Sequence, residues 1–375
     1  MTKAAELAKM GEVLTNSQIG GRRNLIINGA MQVAQRGTSF TSQNAVAYHL
    51  DRWETSGFNM GDGVYRVDQS TDAPADFMNS TKIACTTADT SQDANNQMYF
   101  QQQIEGLNCS HVNFFVSNAD TITLSFHVKS NRTGTYSFAL KLSDNASVEN
   151  NTSTRIYNTT YTISVANTFE KKTITIPLDT NGSTKVTNNT FSMAIQFWLG
   201  AGSNRDGAGA GAWGANGNAA TASANLDILG STDNNWYITG VQMELGSQAT
   251  PFEHRSFGEE LALCQRYYYR VQSSAEANIA AGNAWDARSS DYSIRLPTTM
   301  RAAYTLGVSA LTDILYKYGA RSERSDGQYF RLINSTALDI ASINHQILTN
   351  VTTVGFATHL ALKDDDSFFD FDAEL

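Results

Sequence analysis

Short segments with an apolar residue at every second position recur along most of this chain. In the segment 121–130 the apolar residues are Ile122, Leu124, Phe126 and Val128. The same period of two runs through GTYSFALKL, KKTITIPL, FSMAIQFWLG and WYITGVQMELG, with turn residues between the segments. Because this period places successive side chains on opposite faces of a β-strand, it predicts strands rather than helices. We therefore predict a mainly β protein whose central body is an antiparallel jelly-roll β-sandwich.

One stretch, RSFGEELALCQRYYYR at residues 255–270, departs from this pattern. Ser256 and Glu259 have the S-x-x-E spacing of a helix capping box. Glu259 and Glu260 lie in the predicted first turn, where the helix dipole favours anions, and Arg266 lies at the predicted last turn, where it favours cations. These signals predict a short linking α-helix that sets two β modules apart.

The helix divides the chain into four predicted parts. They are a short N-terminal helix and attachment arm (1–20), the jelly roll (21–255), the linking helix (256–266) and a smaller C-terminal β-sandwich (267–375). After the arm, NLIING predicts a strand that ends in an Asn28–Gly29 turn. In the tail DDDSFFDFD we expect the acidic side chains to face solvent, while the rings of Phe368, Phe369 and Phe371 pack inward.

Two groups of residues predict contacts between copies of the chain. The first group has the 3–4 spacing of a coiled-coil seam and consists of Leu7, Met10 and Leu14. Two heptads do not hold chains together alone, so a frayed terminal helix is the alternative. The second group would cover both faces of one strand, as expected between a core and a neighbouring copy, and consists of Tyr267, Tyr268 and Tyr269.

Charge and composition exclude several classes of protein. The net charge of −9 would repel a phosphate backbone, so nucleic acid is not an expected partner. No run approaches the ~18 apolar residues of a spanning helix and no signal peptide is recognised, so membrane insertion and signal-directed secretion are not expected. Cys85, Cys109 and Cys264 are too few and too widely spaced for a disulfide framework or a zinc site.

The sequence offers no recognisable catalytic constellation. A polysaccharide-cutting enzyme needs two carboxylates roughly 5–10 Å apart, and no acidic pair has such a setting. Neither a G-x-S-x-G elbow nor an H-E-x-x-H zinc motif occurs. We therefore predict that the protein is not an enzyme and has no catalytic residues, metal site or cofactor.

Aromatic residues in polar loops are the candidates for binding a ligand or receptor. Trp285 in GNAWDARSSDY has Asp286 beside it and Tyr292 nearby, the composition of a site that stacks on and hydrogen-bonds to a sugar. Trp213 is the only aromatic side chain in the glycine-rich stretch 200–220. For both tryptophans the alternative is an anchor in a core or an interface. The remaining tryptophans fall on strand-like segments and are expected in the core: Trp53, Trp198 and Trp236.

Five blocks of sequence carry a resemblance to a known family: RRNLIINGAMQVAQRGTSF, HLDRWE, TLSFHVKSNRTGTYSFAL, WYITGVQMELGSQATPFEHRSFGEELALCQRYYYR and IRLPTTMRAAYTLGV. They resemble the tail-fibre-like virion proteins of tailed bacteriophages, prominent among marine phages, over roughly residues 20–310. The resemblance implies a trimeric appendage or an adhesin-like part of the particle. It also implies that the central module resembles a carbohydrate-binding jelly roll.

Jelly rolls of that kind often hold a structural calcium with carboxylates from the first turn and the last strand. Here the first turn is Asn28-Gly29-Ala30-Met31 and the last strand ends in TGVQME at residues 239–244, so two of the expected carboxylates are missing. Because calcium needs six to eight oxygen ligands, a site through Asp51 or Glu244 stays only an alternative.

Together these features predict a structural virion protein of a tailed phage, made in the host cytoplasm and located on the particle. It would be a homotrimeric tail fibre that attaches to other tail or particle proteins by its N-terminus. Its outer part would bind a host-surface glycan without a covalent step, strengthened by the presence of three copies. The alternatives are a purely structural fibre, head fibre or tail adaptor without receptor binding, and a polysaccharide depolymerase.

Overall fold

The computed structural model describes residues 3, 23–42, 46–144, 154–206, 209–215, 220–221, 227–318, 321–324, 329–334, 338–346, 354 and 356–375. Contacts between Cα atoms divide the chain into two compact units, residues 1–260 with residue 375, and residues 261–374. The division falls inside the helix that the sequence predicts. The predicted N-terminal helix, with Leu7, Met10 and Leu14, lies outside the described residues.

Thirteen strands are described in the first unit. In chain order they are β1 (Ser39–Ser42), β2 (Val46–Tyr48), β3 (Glu54–Phe58), β4 (Val64–Ser70), β5 (Ser80–Thr87), β6 (Gln97–Glu105), β7 (Thr121–Ser130), β8 (Gly134–Ser143), β9 (Thr154–Ile163), β10 (Glu170–Pro177), β11 (Phe191–Ala201), β12 (Trp213–Ala215) and β13 (Asn235–Leu245). Two short 3₁₀ helices, Gly106–Asn108 and Ile228–Gly230, lie between them.

These strands form two antiparallel sheets that pack face to face. Sheet 1 has the order β1-β4-β5-β13-β7-β10, and sheet 2 has the order β12-β9-β8-β11-β6-β3-β2. Most neighbours in each sheet are distant in sequence, as in a jelly roll rather than a meander. The predicted mainly β fold with a central antiparallel sandwich is confirmed.

The apolar faces that the alternation predicts meet between these two sheets. Sheet 1 contributes Ile122, Leu124, Phe126 and Val128 of β7, and sheet 2 contributes Tyr136, Phe138, Leu140 and Leu142 of β8. Trp53 and Trp236 are fully buried in the same core. Since burying each large apolar side chain contributes about 1.5–3 kcal/mol, this core is the main source of stability of the first unit.

The chain before β1 is buried but is not a strand, so that prediction is wrong. Residues 24–28 have no regular structure, and Asn28 turns the chain with a φ of 56°. The Leu25 N–H donates to the Met243 carbonyl at 2.9 Å, and the Asn24 side chain bonds the backbone of Val241 and Met243, so side-chain as well as backbone bonds tie the segment to β13. A left-handed residue cannot continue the extended backbone of a strand.

The linking helix, α1 (Phe257–Gln265), begins at the predicted capping box. The Ser256 hydroxyl donates to Glu259 Oε2 at 2.8 Å, and the Glu259 N–H donates to Ser256 Oγ at 3.4 Å. Arg266 lies one residue beyond the helix, so it is not in the last turn as predicted. The helix therefore owes its start to sequence-local bonds.

Ten strands are described in the second unit. They are β14 (Tyr268–Gln272), β15 (Asn278–Ala284), β16 (Ser289–Arg295), β17 (Thr305–Val308), β18 (Ile314–Tyr318), β19 (Arg321–Arg324), β20 (Tyr329–Asn334), β21 (Ile340–Gln346), β22 (Ala357–Leu362) and β23 (Phe368–Asp372), with a 3₁₀ helix at Leu311–Asp313. Sheet 3 has the order β14-β23-β17 and sheet 4 the order β19-β18-β22-β15-β16-β21-β20. One apolar core joins both sheets, which confirms the predicted smaller β-sandwich.

The tyrosine triplet and the C-terminal aromatic residues pack within the chain. Tyr267 and Tyr268 are buried, and the Tyr268 hydroxyl donates to Asp370 Oδ2 at 2.9 Å. Tyr269 is half-buried, with its ring stacked 6.2 Å from that of Phe371. Their burial therefore needs no neighbouring copy, and a role at an interface between copies stays a prediction.

Two further sequence-based expectations concern the tail and the cysteines. Phe369 and Phe371 are buried, as predicted for the tail. All three cysteines are buried and none of them forms a disulfide, and burial raises the pKa of the Cys109 thiol to about 11. Among the described residues no helix is long and apolar enough to cross a membrane.

Candidate functional site

Trp285 and Asp286 lie in the turn between β15 and β16 of the second unit. Trp285 is 55% exposed, as a binding residue should be. The Asp286 carboxylate accepts the N–H groups of Arg288 and Ser289, each at 2.6 Å, so it holds the turn together. Desolvation acts to raise the pKa of Asp286, but the hydrogen bonds of the turn together outweigh it, so the pKa is lowered. This carboxylate is therefore occupied by its own loop.

Tyr292 is not available to a ligand, so its prediction as a binding residue is corrected. Its side chain lies in the core of the second unit, packed with residues of sheets 3 and 4. Burial is the main cause that raises the pKa of its hydroxyl. Residue 292 points inward because it has the same strand parity as Ile294, another core residue of β16.

Trp213 lies on β12, at one edge of sheet 2. Its indole Nε1 donates to the Pro177 carbonyl at 2.7 Å, and its ring lies 5.4 Å from that of Tyr157. It packs against the sandwich core. These contacts fit the alternative interpretation of Trp213, in which it anchors the glycine-rich loop to the core.

A second aromatic group lies on the outer face of sheet 2, the face that points away from the core. Trp198 of β11 and Tyr99 of β6 are cross-strand partners, with ring centroids 5.1 Å apart. They belong to an apolar cluster separate from the main core. Ser137 and Ser56 flank the pair on the neighbouring strands β8 and β3. This row offers two rings bordered by hydroxyl groups.

The next row on the same face consists mainly of amides and one carboxylate. Across the strands it runs Asn158, Ala139, Gln196, Gln101 and Glu54. Gln196 Nε2 donates to Gln101 Oε1 at 2.7 Å, and Gln101 Nε2 donates in turn to Glu54 Oε1 at 2.5 Å. The chain of bonds fixes the orientation of each amide, as a specific binding site requires.

Buried polar atoms without a hydrogen-bond partner among the described residues occur on this face. They include the indole Nε1 of Trp198, Oε1 of Gln196 and Oγ of Ser56. A buried donor or acceptor without a partner costs about 1–3 kcal/mol, so such atoms are usually satisfied by water or a ligand. The donor Trp198 Nε1 and the acceptor Gln196 Oε1 lie one row apart, so one bound molecule could reach both.

The outer face has two exposed apolar side chains at one edge and is covered at the other side. At the β2–β3 edge Val46 and Phe58 are exposed, Phe58 by 40%. At the opposite side Ala220 packs against the aromatic cluster, and the Thr221 N–H donates to Ser137 Oγ at 2.9 Å. These two small residues are the described part of the cover over the rings.

The sequence places Trp198 in the core, and the structure corrects this to the outer face. In FSMAIQFWLG the residues of core parity are Phe191, Met193, Ile195, Phe197 and Leu199. Trp198 falls between two of them and so points the other way. Tyr99 likewise falls between two core residues, Met98 and Phe100, and so points to the outer face. An aromatic residue at a polar position of an alternating strand was the available clue.

The alternative calcium site is occupied by protein groups. The Asp51 carboxylate accepts the backbone and side-chain N–H groups of Gln35, at 2.7 and 2.5 Å. The Glu244 carboxylate accepts the Thr250 N–H and hydroxyl at 2.8 and 2.6 Å. In the part of the chain that the structure describes, no three His, Cys, Asp or Glu residues form a group that would hold a metal ion.

The guanidinium of Arg255 lies beside residues 24–28, where a metal ion could otherwise bind. Arg255 donates to the carbonyls of Asn24 and Ile26 at 2.6 and 3.1 Å. It also pairs with Glu260 at 3.3 Å, and Glu260 accepts the Asn28 N–H. Carbonyl and carboxylate oxygens here converge on an arginine rather than a metal ion.

No protein-family model and no curated protein matches the chain. Solved structures that match include the enzymatically active domain of bacteriophage CBA120 tailspike protein 4, at 15% identity and a TM-score of 0.29, over 60% of this chain and 21% of that one. The family 11 carbohydrate-binding module of Clostridium thermocellum Lic26A-Cel5E matches at 9% identity and 0.29, over 56% of this chain and 100% of that one.

The CBM22-1 xylan-binding domain of Paenibacillus barcinonensis Xyn10C matches at 9% identity and a TM-score of 0.29, over 61% of this chain and 100% of that one. The chain thus spans about a fifth of the tailspike domain and the whole of the two modules. At these identities and TM-scores the matches carry no inference about function, which must come from the outer face itself.

Proposed function

We propose that the protein binds a glycan without covalent chemistry, on the outer face of sheet 2. The observation that carries the proposal is the Trp198–Tyr99 pair, bordered by the bonded row Gln196–Gln101–Glu54. A sugar presents apolar C–H groups on its ring faces and hydroxyls on its rim. Rings beside planar amides and a carboxylate match both parts.

The buried polar atoms without hydrogen-bond partners within the described ranges support the same proposal. Trp198 Nε1 can donate to a sugar hydroxyl, and Gln196 Oε1 can accept from one. Because sugar hydroxyls both donate and accept, one ligand can satisfy both atoms. An apolar ligand would leave them without partners.

Access to the rings begins at the exposed edge formed by Val46 and Phe58. For a sugar to stack on Trp198, it must take the place of Ala220 and Thr221. Their hold on the face includes one methyl group and the hydrogen bonds to Ser137, each of which contributes about 0.5–1.5 kcal/mol. The proposal therefore requires a ligand to displace these two residues from the rings.

The wider role that we propose is that of a homotrimeric tail fibre on the virion of a tailed phage, attached through its N-terminus to other tail or particle proteins. The support for this role is the resemblance of residues 20–310 to tail-fibre-like proteins. Three copies would raise the avidity of a weak sugar site. The two central rows of the face contain one carboxylate, Glu54, and not the pair that glycoside hydrolysis needs. A binding role without catalysis fits this composition.

Glycan-array binding by the full chain tests the site, with three variants compared. Phe58→Ala removes an exposed ring from the open edge, and Trp198→Leu removes a ring and its N–H from the centre. Trp285→Ala is the matched control, since it removes the exposed tryptophan of the second unit. We expect Trp198→Leu to weaken binding about tenfold or more and Phe58→Ala to weaken it less, with Trp285→Ala unchanged.

The outcomes separate the alternatives. Loss of binding in Trp285→Ala alone would move the site to the second unit. No binding to any glycan would favour the purely structural fibre or adaptor. Release of reducing ends from a host polysaccharide would establish the depolymerase. Light scattering at micromolar concentration tests the trimer, and a monomer would contradict it.

A further inference from the structure

Lys141 is a buried cation on the outer face of sheet 2, with no counterion in the described part of the chain. It lies on β8, one row beyond the Gln196–Gln101–Glu54 row, opposite Ala194 of β11. The residue is only 7% exposed. Among the described residues no carboxylate lies within ion-pair distance of it. Burial, and secondly the charge of Arg205, lower its pKa to about 8.

Arg205 is the second cation of this region. It follows β11 in a turn in which its N–H donates to the Gly202 carbonyl at 2.8 Å. Its side-chain Nε is buried and has no acceptor in the described ranges. The Ala220 N–H donates to the Arg205 carbonyl at 3.4 Å, and Ala220 packs in the cluster of Trp198 and Tyr99, so Arg205 lies beside the aromatic row. Its charge also acts on Lys141.

Two like charges held together without an anion are unfavourable in a poorly solvated site. Burial and like-charge repulsion each disfavour the charged form of Lys141. Proteins usually bury such charges only with a partner of opposite sign. The rest of the chain has an excess of acids, with a net charge of −9, so the pair does not reflect a generally basic surface. The missing component of this arrangement is an anion.

We propose that the glycan bound on the outer face of sheet 2 is acidic, and that Lys141 and Arg205 together bind its carboxylate or sulfate group. This inference rests on the proposed function. Trp198 pairs with Ser137, and Lys141 lies four residues further along β8, which is about 13 Å at the rise of a strand. The spacing lets one chain of sugars stack on the rings and reach the cations with an acidic group.

The test measures binding of the full chain to matched pairs of polysaccharides by calorimetry. Polygalacturonate is compared with its methyl ester, which has the same rings without the charge, and a sulfated galactan is compared with its desulfated form. We expect binding to the acidic member of at least one pair to be about tenfold tighter or more. The pair that shows the preference identifies carboxylate or sulfate as the anion.

Lys141→Met keeps the length of the side chain and removes its charge. It should weaken binding of the acidic polymer about tenfold and leave that of the neutral polymer unchanged. Lys171→Met, at an exposed position of β10 on sheet 1, makes the same charge change away from the site and should have no effect. The affinity of the wild type for the acidic polymer should also fall as the pH rises above about 8, where Lys141 loses its proton.

Equal binding of both members of each pair, or an unchanged affinity in Lys141→Met, would overturn this inference and leave glycan binding intact. Binding of none of the polymers, acidic or neutral, would overturn the proposed function with it. Thermal unfolding of both variants shows whether each is folded, and we expect Lys141→Met to be at least as stable as the wild type.

Discussion

Replacement of Arg255 by alanine should destabilise the first unit more than any exposed charge change. Its side chain is 7% exposed, bonds two backbone carbonyls and pairs with Glu260, which is itself largely buried. Removing one partner of a buried pair costs about 3–5 kcal/mol, because the other charge is left without compensation. We therefore expect Arg255→Ala to lower the free energy of unfolding by about 3–5 kcal/mol.

The assay is urea denaturation followed by tryptophan fluorescence in a Trp285→Phe background. The four remaining tryptophans, residues 53, 198, 213 and 236, all belong to the first unit, so the signal reports that unit alone. Arg66→Ala is the matched control, since the Arg66 side chain is 46% exposed in its 2.8 Å pair with Asp68. An exposed pair contributes about 0–1 kcal/mol.

A double variant distinguishes charge from packing. Adding Glu260→Gln to Arg255→Ala removes the uncompensated carboxylate while keeping an acceptor for the Asn28 N–H. We expect this pair to be less destabilised than the sum of the two single variants, with a coupling energy of about 0.5–3 kcal/mol. If Arg255→Ala costs no more than Arg66→Ala, the guanidinium does not replace a structural cation and the reasoning fails.

Three further predictions concern titration and backbone geometry. Burial is the main cause that lowers the pKa of His49 and His345 to about 4, so the unfolded state binds more protons between about pH 6.5 and 4. Each unit should therefore lose up to about 3 kcal/mol as the pH falls through that window, and His345→Gln should reduce the loss in the second unit, as measured by thermal unfolding at pH 7 and 4.5. An acid sensitivity identical to the wild type would contradict this. Lys141 affects stability at alkaline pH, because its pKa is about 8 in the folded state and 10.5 in the unfolded state. The free energy of unfolding should therefore rise with pH between those values, by up to about 3 kcal/mol. Lys141→Met should abolish this rise in urea titrations at about pH 7 and 9.5. Gly240 has a φ of +62°, and an added Cβ would lie 2.5 Å from Phe77 Cζ, so Gly240→Ala should cost about 1–3 kcal/mol in the same titrations; a neutral effect would mean that β13 can relax there.

The site itself was only partly accessible to prediction. The sequence indicated that a sugar-binding site should be sought in aromatic residues among neutral polar ones. It favoured Trp285, Tyr292 and Trp213, because they stand in loops or beside turns. Tyr292 proved to be buried, and Trp213 packs against the core. The residues of the proposed binding face lie in strands, where an aromatic residue is ordinarily taken for core.

The sequence by itself determined the class of fold, the two sandwiches and the helix between them. Alternation with a period of two and a capping box are properties of neighbouring residues, so they need no knowledge of the rest of the chain. The sequence did not determine that Trp198 lies beside Tyr99, that Gln196 bonds Gln101, or that Arg255 donates to the Asn24 carbonyl. These pairs are joined by sheet order and register between distant strands, and only the packing of the whole sandwich fixes which strands become neighbours.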